Sequence, residues 1–367
     1  MDAQEEDRAV AVNGDLGYPV VVGPDLRAEL HAFLNERDVR RMVVLCDAQA
    51  DVARLARRMS NGIGARIAVL PFALGERRKS LATLERVLAG LVAAGADRGT
   101  TILGVGGGVA SDLFGFAAAT FMRGVPYVHV ATSLVAMVDA AIGGKTGVDL
   151  PSGKNLAGVF SDPLAMFAPT DALETLPFRH LREGLAETVK HGVIEGGDLF
   201  DALEALAPHP FSKWPWPALV NDSAKVKTMI VADDRTERGT RELLNLGHTF
   251  AHGMERASAF RISHGAAVSL GLRAAGLLAL RTGRFSETDH LRVLALLALL
   301  RLPMTMPLDP APVLEAMRAD KKKRDGRLRF VLPNAVGDVE FGIEVPDRDV
   351  RAVLKRMTSP PTDAEVS

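Results

Sequence analysis

Residues 100–120, TTILGVGGGVASDLFGFAAAT, decide how the first half of the chain is read. A β-branched run, Thr100–Val105, leads into Gly104-Val105-Gly106-Gly107-Gly108-Val109 and then into the helical stretch Ala110–Thr120. Glycines at a strand-to-helix turn let the main chain approach a ligand closely, and the start of a helix offers free N–H groups and positive dipole charge to a pyrophosphate. The spacing is not the usual G-x-G-x-x-G, so these residues fit either a nucleotide loop or a tight strand-to-helix turn. Asp112 fits the first turn of that helix in both cases, since the dipole favours a carboxylate there.

The same alternation extends on both sides. Tyr18–Gly23, Arg41–Cys46, Arg66–Leu70 and Val125–Val130 read as further strands, with amphipathic helical segments at Asp25–Leu34, Asp51–Met59 and Lys79–Ala94. Strands alternating with helices predict a mostly parallel sheet covered on its faces. From about Thr175 the period becomes helical, with Leu- and Ala-rich stretches at Gly265–Arg281 and His290–Leu300. The expected organisation is an α/β N-terminal domain over residues 1–175 and a mostly α-helical C-terminal domain over 176–367. Pro208–Pro217 reads as a loop, Arg327–Leu332 as a late strand, Asp320–Asp325 as a charge run and Ser359–Ser367 as a frayed tail.

Composition narrows the function classes. The 367 residues carry 44 Lys+Arg against 45 Asp+Glu, a net charge of −1 that supplies no global field for nucleic acid or an anionic membrane. Any anion binding must be local. Cys46 is the single cysteine, so neither an internal disulfide nor a Cys-rich metal cluster can form, and a metal would be held by His and carboxylates. The acidic start MDAQEEDRAV has no apolar core, and no apolar run approaches the ~18 residues of a membrane span. A cytoplasmic protein is expected.

Gly143-Gly144-Lys145-Thr146 invites comparison with a P-loop, but Asp139 stands where that motif needs its first glycine. What remains is a segment, Asp139–Asn155, with Lys145, Lys154 and Asn155 among glycines. It suits either a phosphate or a solvated loop. In the second half, Glu183, Glu187 and Lys190 recur at helical spacing, as an exposed salt-bridged face also would. Arg241, Asn245, His248, His252 and Glu255 form a polar stripe opposite Leu243, Leu246, Phe250 and Met254. Two imidazoles and an amide are unusual filling for a solvated face, and His264 follows shortly after. Two His with one Glu would leave positions open for water or substrate, as a catalytic zinc requires.

Together these segments resemble the dehydroquinate synthase family of sugar phosphate cyclases. The matching stretches are GERRKSLATL, GGGVASDLFGFAAATFMRGV, VDAAIGGKTGVDLPSGKNLAG, TDALETLP, GLAETVKHGVI, LLNLGHTFAHGME, SHGAAV and DKKKRDGRLRFVLP, in the family's order from about residue 18 to residue 350. The resemblance implies a Rossmann-like NAD-binding domain and a helical metal-binding domain, in a homodimer with the active site between domains. It places NAD against Asp47, Glu76, Lys79, Gly107, Gly108, Val109, Asp112, Thr132, Ser133 and Thr175, and zinc or cobalt on Glu187, His248 and His264. The substrate phosphate would meet Lys145, Asn155, His252 and one of Lys321 and Lys322, with Arg123 reaching it from a partner subunit. Asp139, Lys154 and Lys190 would line the sugar hydroxyls, and Lys227 and Arg241, with Asn245 nearby, would hold a carboxylate.

The activity so implied converts 3-deoxy-D-arabino-heptulosonate 7-phosphate to 3-dehydroquinate and phosphate, in the shikimate pathway. Transient oxidation by NAD, phosphate elimination, re-reduction and aldol closure follow in turn, and NAD is recycled. Relatives that take other sugar phosphates, aminodehydroquinate synthases and 2-epi-5-epi-valiolone synthases, are the alternative, and glycerol dehydrogenase-type NAD/metal alcohol dehydrogenases a further one. Ala266 departs from the Glu usual after His264-Gly265, Met137 from Gln, Ala131 from Pro and Ala251 from Gly.

Overall fold

A computed structural model describes residues 9–12, 14–321 and 328–362, without the side chains of residues 66, 67, 320 and 321. Lys322, the side chain of Lys321, Arg327 and most of the 320–325 charge run therefore lie outside the described residues, as does the end of the tail. The described chain divides into two compact units, 1–177 with 215–232 and 178–214 with 233–367.

The first unit is an α/β layer structure. Its strands are β1 (Val10–Ala11), β2 (Val20–Gly23), β3 (Arg41–Asp47), β4 (Arg66–Phe72), β5 (Thr101–Gly106), β6 (Tyr127–Ala131), the hairpin β7 (Lys145–Leu150) and β8 (Gly153–Phe160), and β9 (Ala165–Pro169). The main sheet has the order β1-β2-β9-β6-β5-β3-β4, parallel apart from the short edge pair β1·β2. Central strands such as β5 and β6 are buried along their whole length, which explains their continuous apolar runs. Helices α1 (Arg27–Glu36) and α2 (Ala50–Ser60) bring Leu30, Leu34, Ala56 and Met59 into one core with Val44, Val105 and Phe167. Helices α3 (Leu81–Ala93) and α4 (Gly108–Thr120) form another with Leu45, Ile102 and Tyr127.

Asp139–Asn155 is not a loop throughout, because β7 and β8 pair antiparallel across a tight turn at Pro151–Ser152. Gly147 and Gly158 let the strands meet, and a Cβ on Gly147 would lie 2.7 Å from the Ala157 carbonyl. Strand β9 was not anticipated. AMFAP is short, lacks β-branched residues and is recognisable only through its pairing with β2 and β6.

The second unit opens with α5 (Phe178–Glu195) and α6 (Gly197–Leu206); α7 (Trp216–Asp233) then groups mainly with the first unit. Thus Pro208–Pro217 is not entirely loop, since Trp216 and Pro217 begin α7, where proline's missing N–H costs no helical bond. After α7 come α8 (His248–Ala257), α9 (His264–Arg281), α10 (Glu287–Leu299), α11 (Pro310–Lys321), the hairpin β10 (Arg329–Ala335) and β11 (Asp338–Glu344), and α12 (Asp347–Met357). Helix α9 is buried along most of its length and packs against α5, α8, α10, α12 and β10.

The polar stripe from Arg241 to Glu255 is not one helix. A 3₁₀ turn covers Thr240–Asn245, Gly247 turns left-handed at φ 78°, and α8 begins at His248. A Cβ on Gly247 would stand 2.9 Å from the Gly271 carbonyl carbon, so the main chains of the turn and α9 touch directly. Only glycine accommodates both that conformation and that approach.

Candidate active site

In the first unit the chemistry gathers at the carboxyl ends of neighbouring parallel strands, where open α/β sheets bind ligands. Asp47 ends β3, Gly107–Val109 follow β5, and Thr132–Ser133 follow β6. Gly107 occupies the N-cap of α4 and has no side chain to satisfy the first N–H groups of that helix, which leaves them for an anion. A Cβ on Gly107 would meet Ser133 Oγ at 2.9 Å, and one on Gly108 would meet Ala140 Cβ at 3.1 Å. The glycines thus serve close packing, which is compatible with either reading of the loop.

Lys79 is buried just before α3, with Nζ 2.8 Å from Asp112 Oδ2 and 2.5 Å from Asn155 Oδ1. Burial disfavours its charge, but Asp112, Glu76 and Asp149 outweigh that and hold the ammonium above its ordinary pKa. Lys154 Nζ lies 2.7 Å from Glu76 Oε1. Asp149, which the sequence reading did not single out, accepts the Asn155 N–H at 2.8 Å and so fixes the hairpin end. Asp139 sits in a π-helical turn at Ala136–Ala140, and Lys227 from α7 donates to its carboxylate at 2.5 Å and its carbonyl at 2.7 Å. Lys145 and Arg123 are exposed, Arg123 with φ 72°, and Thr175 is exposed at the end of a 3₁₀ turn after β9.

In the second unit, α5, α8 and α9 bring together Glu187, His248 and His264. Their ligand atoms all lie within 4.8 Å of one another. Glu187 is fully buried, and its Oε1 stands 3.0 Å from His264 Nε2 and 3.6 Å from His248 Nε2. His248 Nδ1 faces the Leu246 carbonyl at 3.2 Å, which directs Nε2 into the cluster. Lys190 Nζ approaches Glu187 Oε2 at 2.6 Å. Burial alone would raise the Glu187 pKa, yet Lys190 and the two imidazoles hold it well below the usual carboxylate range. Burial also opposes charge on His264, but Glu187 and Glu255 outweigh it and push the imidazole up to about 10.

A buried carboxylate facing two imidazoles is a donor set suited to a borderline metal such as zinc. The exposed-face alternative for Glu187 and Lys190 is set aside, since both are buried. His252 is exposed one turn after His248, the rings 5.4 Å apart. Arg241 is 1% exposed and donates from Nη1 to the Arg235 carbonyl at 2.6 Å, while Asn245 donates to Glu237 at 3.0 Å.

The 3-dehydroquinate synthase N-terminal family matches residues 69–183 and the 3-dehydroquinate synthase C-terminal family matches residues 184–323. A 3-dehydroquinate synthase from Symbiobacterium thermophilum is 39% identical, across 94% of this chain and 99% of its own length. The chain belongs to the 3-dehydroquinate synthase family. The family's enzyme from a Synechococcus strain is 41% identical over 78% of this chain and 80% of its own. Among solved structures, the 2-epi-5-epi-valiolone synthase ValA from Streptomyces hygroscopicus, with NAD+ and Zn2+ bound, superposes with a TM-score of 0.84 at 30% identity, covering 95% of this chain and 98% of that one.

Ala266 sits two residues into α9 beside His264. Two carboxylates approach this helix start. Glu255 lies 3.6 Å from His264 Nδ1, and Glu183 accepts the Gly265 N–H at 2.6 Å. Neither was assigned a role at the sequence level, because each acts on a residue of another helix.

Proposed function

We propose that the chain is a 3-dehydroquinate synthase, converting 3-deoxy-D-arabino-heptulosonate 7-phosphate to 3-dehydroquinate and phosphate with NAD and a zinc or cobalt ion. The observation that carries this reading is the buried Glu187–His248–His264 cluster, in a chain 39% identical to such an enzyme over nearly its whole length. When bound, NAD supplies a transient hydride acceptor and the metal a Lewis acid for the substrate alcohol.

The chain's own residues account for binding and orientation. Asp47, Gly107–Val109, Asp112, Thr132 and Ser133 at the strand ends, with Glu76, Lys79 and Thr175, hold the dinucleotide. Glu187, His248 and His264 hold the metal, and Lys190 neutralises the Glu187 oxygen turned away from the imidazoles. Lys145, Asn155 and His252 meet the phosphate, together with Lys321 or Lys322. Lys154 and Asp139 line the hydroxyls, and Lys227 holds the Asp139 carboxylate in place. Arg241, with Asn245 nearby and Lys227, pairs the substrate carboxylate, and a guanidinium is matched to that group by its planar fork. The working unit is a cytoplasmic homodimer in which Arg123 is contributed by the partner; exposed Leu156, Val159 and Phe160 on β8 offer an apolar surface in keeping with assembly.

The test is phosphate release from the sugar acid phosphate in the presence of NAD, with and without chelator. Chelator-sensitive release with no net NADH is the expected result. Turnover of sedoheptulose 7-phosphate in place of the sugar acid would overturn the substrate in favour of a valiolone-type cyclase, and stoichiometric NADH would mark an alcohol dehydrogenase.

A further inference from the structure

His264 is the least enclosed member of the metal cluster, and its placement depends on two things: where the first turn of α9 lies, and how the ring is rotated. Separate carboxylates control each. Glu183 lies on α5 one turn before Glu187; its Oε2 accepts the Gly265 N–H at 2.6 Å and its Oε1 accepts the Ser263 hydroxyl. Ser263 is the N-cap residue of α9 and makes no capping bond of its own, so Glu183 satisfies the helix start in its place. The contact is close enough that a Cβ on Gly265 would overlap the Glu183 main chain.

Glu255, 2% exposed on α8, faces the other side of the ring. Its Oε1 lies 3.6 Å from Nδ1, while Nε2 is turned toward Glu187 at 3.0 Å. A ligating imidazole needs one nitrogen deprotonated toward the metal and the other held as a donor, and a carboxylate on the donor side fixes both tautomer and rotation. For His248 the Leu246 carbonyl does this. For His264 the group facing Nδ1 is the Glu255 carboxylate, and the Ala266 side chain carries no acceptor.

We propose that Glu255 and Glu183 are positioning residues for the metal site, Glu255 orienting the His264 ring through Nδ1 and Glu183 anchoring the helix start that carries it. The inference rests on the reading of Glu187, His248 and His264 as metal ligands.

The experiment titrates the full-length chain, freed of metal, with Co2+ followed by visible absorption, and with Zn2+ in competition with a chromophoric chelator. Wild type, Glu255→Gln, Glu183→Gln and Glu187→Gln are compared, with melting of each metal-free protein alongside. Glu255→Gln is expected to weaken zinc about 10- to 100-fold and to alter the Co2+ spectrum. Glu183→Gln is expected to weaken it by a smaller factor, and Glu255→Asp to recover part of the loss. Wild-type affinity and spectrum in both Gln variants, with Glu187→Gln impaired, would overturn the positioning roles alone. Affinity lost only in proportion to the folded fraction would likewise assign both residues to structure. Absence of stoichiometric metal in the wild type, or full affinity in Glu187→Gln, would remove the ligand assignment itself.

Discussion

Lys190 Nζ and Glu187 Oε2 lie 2.6 Å apart on adjacent turns of α5, both side chains being almost wholly shielded from solvent. In the metal-free protein this lysine is a fixed cation against Glu187, whose other oxygen faces the two imidazoles. Removing it strands a buried carboxylate, which costs about 3 kcal/mol or more. Lys190→Met should therefore lower the melting temperature of the metal-free chain by several degrees and by less with zinc, which supplies positive charge of its own. Thermal melts of both proteins with and without the metal check this; an equal drop in the two states would show that the lysine does not compensate Glu187.

A second pair ties binding to kinetics. Lys227 donates to both the carboxylate and the carbonyl of Asp139, closing the π-helical turn. Charged hydrogen bonds contribute about 1.5–3 kcal/mol, so Lys227→Met should lower kcat/KM for the sugar acid phosphate by roughly 10- to 100-fold. Steady-state phosphate release measures it, with circular dichroism confirming the fold. An unchanged kcat/KM would detach Lys227 and Asp139 from the substrate.

The glycine loop gives a third prediction. A methyl on Gly106 would collide with Ala110 Cβ on the first turn of α4. Overpacking of this kind costs about 1–3 kcal/mol and is relieved only if the helix start moves. Gly106→Ala should consequently weaken NAD binding, read by quenching of protein fluorescence or by calorimetry, while the zinc affinity of the second unit stays as in the wild type.

A fourth concerns pH. His129 on β6 is buried, and burial lowers its pKa from 6.5 to about 4. Between those values the unfolded chain takes up a proton that the folded chain refuses, so stability falls as pH drops through the window from 6.5 to about 4. At 1.36 kcal/mol per pKa unit the effect is roughly 3 kcal/mol. His129→Gln should flatten the pH dependence of the urea midpoint across that window. An unaltered slope would assign the acid sensitivity to other groups.

The parts of the molecule legible in the sequence were those whose signal is local. The β5–α4 unit is readable because a buried strand, its glycines and a helix start are contiguous; of the metal cluster the residues alone show only several His near a carboxylate-bearing helix, and the choice of Glu187, His248 and His264 comes from the family resemblance. The β7–β8 hairpin was not, since its glycines and lysines have the composition of a loop and only strand pairing reveals them. The break at Gly247 leaves no mark in the sequence because the apolar period runs on across it; the cause is the main chain of α9, distant in sequence. Glu255 stood in plain view in the polar stripe, but its partner His264 belongs to the next helix, and no spacing rule connects them.

The direct contact of Gly247 with Gly271 has an implication for altering metal preference. Where two backbones touch with nothing between them, the separation of the elements they carry cannot be tuned by exchanging side chains. The span between His248, which follows Gly247, and α9 is therefore a dimension of the main chain itself. Attempts to shift the site toward a larger or smaller ion would have to act elsewhere than at this seam, because the gauge that sets the start of α8 against α9 has no adjustable part.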